Sequence, residues 1–226
     1  MAGKFETVVK GVYLVGGDDL TDPNDALIYL VQGPKTALID CGCGKSVNQL
    51  LENVNEAGIN PAKIKYLILT HAHVDHIGGA AELKRRLGLE IVAHTKDAQF
   101  IQTADPTFTA ADWYKVTLEP VKVDRQILNE EESIGDLTII SIPGHTPGSI
   151  AVTVKREDKI VLFGQDIHGP FDVAFHSDLT DWRLSMLRLL SINADILCEG
   201  HFGIFHGKDR VKKFIKRYLD FYAESL

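Results

Sequence analysis

Short apolar runs punctuated by glycine and proline dominate the first third of the chain, and such runs are the mark of β-strands. Val8-Val9 and Val12-Tyr13-Leu14-Val15 come first, then Leu27-Ile28-Tyr29-Leu30-Val31, a Gly33-Pro34 turn and a run over residues 36–39. The period then changes. Over residues 46–57 the apolar positions Val47, Leu50, Leu51 and Val54 recur at helical spacing, with Gly58 as the stop. Residues 64–69 predict a buried strand, 79–87 a second helix ended by Gly88, and 90–93 another strand. Residues 105–120, with Pro106, Trp113, Tyr114 and Pro120, hold no clear period and predict a surface loop or lid. Strands are expected at 137–142, 150–154 and 160–163, the last two joined by a polar turn over 155–159, and at 196–198. Helices are expected at 182–190 and 208–222, the latter facing Val211, Phe214, Ile215, Tyr218 and Leu219 inward. Strands in runs, interleaved with helices and with no low-complexity linker, predict one α/β or α+β domain.

Composition narrows the classes. A chain of 226 residues, 45% hydrophobic and 24% charged, can bury a sizeable core. Its formal charge of -7 argues against nucleic acid or an anionic membrane surface as partner. The opening Met1-Ala2-Gly3-Lys4-Phe5-Glu6-Thr7 lacks the apolar stretch of a signal peptide, and runs such as 26–31 are too short for a bilayer. A soluble cytoplasmic protein is the expectation. Cys41, Cys43 and Cys198 are too few and scattered for a disulfide framework, and Cys41-Gly42-Cys43 predicts a tight turn after a strand.

The candidate chemistry is concentrated. Of nine histidines, His71, His73 and His76 fall within six residues, with Asp75 among them, just past a predicted strand. Imidazole and carboxylate are the natural ligands of zinc and similar divalent ions, and such a run is costly to bury without one. If the segment is extended, 71, 73 and 75 point one way and 76 the other, so one loop serves two adjacent ions. Further donors must come from elsewhere. Pro143-Gly144-His145-Thr146-Pro147-Gly148-Ser149, Phe163-Gly164-Gln165-Asp166 and Glu199-Gly200-His201 each place a donor at the end of a predicted strand.

This ordered set resembles the metallo-β-lactamase superfamily from about Val12 to His201, and Leu38-Ile39-Asp40-Cys41-Gly42 is similar to its early strand-turn motif, with cysteine where threonine is common. The resemblance implies an α+β fold, an αβ/βα four-layer sandwich of two mixed sheets with helices outside, spanning 1–226 as one domain with helix 208–222 packed on it. It implies that His71, His73 and His145 hold a first metal, that Asp75, His76 and His201 hold a second, and that Asp166 bridges them. The cofactors implied are two divalent ions, zinc first, with iron or manganese as alternatives. A metal-bridging hydroxide then attacks the substrate, with Asp75 orienting it or shuttling a proton. The compact layout resembles glyoxalase II-like enzymes, but only one helix is expected after His201, which argues against glutathione specificity. The expected activity is hydrolysis of a small ester, thioester or lactone by a protein whose relatives are often homodimers. The alternatives are a mononuclear-iron persulfide dioxygenase-like oxidoreductase, a phosphodiesterase, and a non-catalytic metal-binding domain.

Other residues are weaker candidates. His168, two residues past Asp166, is expected to line the pocket and contact substrate; His94 is expected to be structural, and His176 and His206 to lie at the surface. Asp40 is either a partner that fixes a ligand histidine or a turn cap, and Trp113 and Tyr114 either cap an apolar substrate or pack their own loop. Lys212, Lys213, Lys216 and Arg217 predict a solvated helix face.

Overall fold

The computed structural model describes residues 5–223. Seven strands form the first sheet in chain order: β1 (Glu6–Val9), β2 (Val12–Gly16), β3 (Ile28–Val31), β4 (Ala37–Ile39), β5 (Tyr66–Ile68), β6 (Glu90–His94) and β7 (Arg125–Ile127). The first four pair antiparallel, and β4 to β7 run parallel. The second sheet holds β8 (Glu131–Ile134), β9 (Leu137–Ser141), β10 (Ile150–Arg156), β11 (Lys159–Gln165), β12 (Ile196–Glu199) and β13 (Ile204–His206). Only the β11–β12 pair is parallel there. Both sheets are therefore mixed, as expected.

Strand residues alternate between two cores, which is how the apolar runs are spent. Tyr29, Ile39, Ile68 and Val92 of the first sheet face Ile139, Val152, Phe163 and Cys198 of the second, and the Tyr29 and Phe163 rings meet edge-on at 5.4 Å. Their neighbours Leu30, Leu38, Leu67 and Ile91 point outward, onto α1 (Val47–Glu56), α3 (Ala80–Leu87) and α4 (Thr95–Thr103). Ala151, Leu162 and Leu197 point outward from the second sheet, onto α6 (Leu179–Ile192) and α7 (Lys208–Phe221). The layers are thus helix, sheet, sheet, helix. Val211, Phe214 and Ile215 of α7 are buried as expected, while Tyr218 and Leu219 are half-buried and its Lys212, Lys213, Lys216 and Arg217 are exposed.

The structure departs from the sequence pattern where little apolar surface is buried. Strands β7, β8 and β13 lie at sheet edges and are three or four residues long, each with at most one buried position, so no alternation announces them. Residues 105–120 are not featureless: they include the single turn α5 (Ala111–Tyr114). The histidine segment is not extended either. Val74–Ile77 forms one helical turn, α2, so Asp75 and His76 diverge by helical rotation rather than by strand alternation. Among the described residues, no helix is long and apolar enough to cross a membrane.

Candidate metal centre

Ligand-bearing positions gather at one rim because the strands that precede them end there. His71 and His73 follow β5, His145 follows β9, Asp166 follows β11 and His201 follows β12. Two convergent sets result: His71, His73, His145 and Asp166 in one, Asp75, His76 and His201 in the other, with donor atoms in each set within 4.8 Å of one another. All are buried except His201, whose side chain is 33% exposed. The structure therefore brings together all seven residues singled out in the sequence.

The donor chemistry fits divalent ions. His145 Nδ1 donates to the Pro170 carbonyl at 2.8 Å, so its Nε2 is left with a lone pair. Thr70 Oγ1 donates to Asp40 and so accepts from His71 Nδ1 at 3.2 Å, which leaves His71 Nε2 bare as well. Both bare nitrogens aim at His73 Nδ1 from 3.0 Å, and that atom carries at most one proton. One lone pair of this trio is orphaned whatever the tautomers. Burial pushes His71 and His73 well below the usual imidazole range and His145 down to about 4, so all three are neutral, the form that ligates metals. Three further buried atoms, His73 Nε2, His76 Nε2 and Asp166 Oδ1, make no hydrogen bond; the last two face each other at 3.2 Å as an ion pair without hydrogen-bond geometry. Such groups are costly without a cation.

The second half is anionic. His201 Nε2 lies 3.3 Å from Asp75 Oδ2 and 3.2 Å from Asp166 Oδ2. Burial depresses His76 and His201, but the neighbouring carboxylates, Asp166 foremost, more than offset it and hold His76 well above the imidazole range and His201 at about 10. This half attracts positive charge.

Supporting residues fix the rings. Asp40, with left-handed φ of 62°, accepts from His76 Nδ1 at 2.7 Å and from both Thr70 N and Thr70 Oγ1, so it orients a histidine rather than merely capping a turn. His168 lines the cavity over the centre, and its Nδ1 is 2.7 Å from Glu199, a fully buried carboxylate that also accepts from the backbone N–H groups of His201 and Phe202. His94 is structural, its Nδ1 capping α4 by accepting from Lys96 N. His176 and His206 are exposed. Tyr114 reaches the centre: its hydroxyl donates to Asp75 Oδ2 at 3.1 Å, while Trp113 packs on Phe175. Cys41 and Cys43 are free thiols in the turn after β4.

Nothing in the sequence marks Glu199 or Asp97 as functional. Each is a single carboxylate without a motif of its own, and Asp97 lies on α4, whose weak amphipathic pattern gave no helix to place it on.

The description that matches this chain is that of the metallo-beta-lactamase superfamily, over residues 21–201. The chain belongs to the metallo-β-lactamase superfamily. The hydroxyacylglutathione hydrolase GloC of Haemophilus influenzae is 30% identical over 176 residues, which is 71% of this chain and 76% of that protein. The acyl-coenzyme A thioesterase MBLAC2 of Gallus gallus is 28% identical over 241 residues, 93% of this chain and 84% of its own. Among solved structures, a motif mutant of a metallo-β-lactamase from Cronobacter sakazakii aligns with a TM-score of 0.83 at 24% identity, covering 98% of this chain and 96% of that one, a likeness of fold. Superfamily, relatives and donor cluster together make the chain a metal-dependent hydrolase that uses divalent ions.

Proposed function

We propose that the chain is a binuclear zinc hydrolase of small esters, thioesters or lactones. The observation that carries this reading is the split donor set around Asp166, whose Oδ2 lies 3.7 Å from His145 Nε2 while its Oδ1 lies 3.2 Å from His76 Nε2. One carboxylate thus faces both sets. His71, His73 and His145 would hold one ion, Asp75, His76 and His201 the other, and Asp166 both. Two such ions supply Lewis acidity and lower the pKa of water from ~15.7 towards ~7.

The remaining work falls to side chains. Asp75, fixed by the Tyr114 hydroxyl, orients the attacking water and carries a proton to the leaving group. Trp113, Phe175 and Pro170 give the cavity over the centre an apolar wall, and at about 190 Å³ it suits a short acyl group. A wider groove of about 680 Å³ opens beside His201. Its lining mixes apolar Leu14, Leu27 and Phe202 with the acids Glu6, Asp18 and Asp19, which favours a neutral leaving group over a polyanion. The acyl-coenzyme A thioesterase among the relatives supports a thioester bond as the target, while the acids of this groove argue against that relative's polyanionic leaving group here.

A substrate panel tests this reading. With zinc-loaded protein, kcat/KM on a short neutral thioester or lactone is expected to exceed that on a phosphodiester by at least about 10²-fold, roughly what general acid–base placement for one leaving group contributes. A preference for the phosphodiester would overturn it.

A further inference from the structure

The His-x-His segment and the Gly-His-Thr-Pro-Gly turn come from different sheets, yet their three histidines meet within 3.0 Å. Something must hold the two backbones in register. Asp97, fully buried in the first turn of α4, stands between them. Its Oδ2 accepts from Ala72 N at 3.0 Å and from Thr146 Oγ1 at 2.7 Å, and its Oδ1 accepts from Gly148 N at 2.7 Å. Ala72 lies between His71 and His73, and Thr146 directly follows His145. The turn is shaped around this carboxylate: a Cβ on Gly148 would collide with it. Thr146 Oγ1 and Ser149 Oγ, 2.9 Å apart, close the turn from the other side.

We infer that Asp97 is a positioning residue that presets the His71–His73–His145 half of the centre for its ion by tying the two ligand-bearing backbones to α4. The inference rests on the binuclear reading above. Asp97 touches neither substrate nor ion. Its two oxygens serve donors on opposite sides, so an amide of the same shape cannot replace it. With Asn, an NH₂ group must face either Gly148 N–H or Ala72 N–H, donor against donor, and one buried N–H loses its acceptor. Outer partners of this kind are typically worth about 10–100-fold in metal affinity.

The experiment is zinc titration against a chromophoric chelator, run on wild type, Asp97→Asn and Thr146→Val, with thermal unfolding of each metal-free protein alongside. Wild type is expected to take up two ions. Asp97→Asn is expected to lose about 10–100-fold in affinity for one of them while the other is held within about 3-fold. Thr146→Val removes one of the three bonds, keeps the side-chain volume and is expected to fall between; it carries the test if Asp97→Asn fails to fold. Unchanged affinities in variants whose metal-free form merely melts lower would overturn the inference and make Asp97 a fold residue. A wild type that binds no zinc would overturn the binuclear reading, and the inference with it.

Discussion

Dialysis against a strong chelator is expected to cut hydrolysis by at least about 10³-fold, and added zinc is expected to restore it. The size follows from what the ions contribute: several kcal/mol of transition-state charge stabilisation, at 1.36 kcal/mol per tenfold in rate. The chain has no substitute for it. His71, His73 and His145 are neutral, the carboxylates of Asp75 and Asp166 would repel a developing oxyanion, and the positive charge carried by His76 and His201 is already paired with those carboxylates. The same removal should lower stability, because the metal-free fold must bury His73 Nε2, His76 Nε2 and Asp166 Oδ1 without hydrogen bonds. Zinc at about 100 times its Kd is expected to add about 2.7 kcal/mol per ion to unfolding, read as a rise in Tm. Full activity in chelated protein would contradict the first expectation, and a Tm unmoved by zinc the second.

The second large effect is expected at Asp75. Asp75→Asn preserves shape and the Tyr114 contact but removes the group that carries the proton. Turnover should fall by about 10²–10⁴-fold, the usual worth of a placed acid or base. The loss should appear in kcat more than in KM, because the apolar wall of Trp113 and Phe175 is untouched. Unchanged turnover together with unchanged metal content would remove Asp75 from the mechanism.

How much of this could be read from the sequence depended on how each feature is encoded. The central strands β3 to β6 and β9 to β12 are buried on both faces, so their apolar runs stand out. The edge strands β7, β8 and β13 bury at most one position each and escape notice, whereas β1 shows through its Val8-Val9 pair. The seven donors were legible because histidine and aspartate recur in compact motifs at strand ends, and the structure gathers all seven. The path of the backbone through them was not: α2 is only one turn, and four residues of Val-Asp-His-Ile do not distinguish a helical turn from an extended loop. Tyr114 stood open between lid and loop packing, and its hydrogen bond to Asp75 depends on α5, a turn in a segment without period. Asp97 and Glu199 act across 25 residues or more from some of their partners, or through a neighbouring backbone, and only the fold brings those groups together.

The central claim is that one rim of the sandwich holds two ions shared through Asp166. Elemental analysis of the purified, zinc-loaded protein tests it most directly. The account predicts two zinc ions per chain, falling to one or none in Asp166→Ala. A single ion per chain at saturating zinc, or a single iron with oxygen consumption on a persulfide, would contradict it.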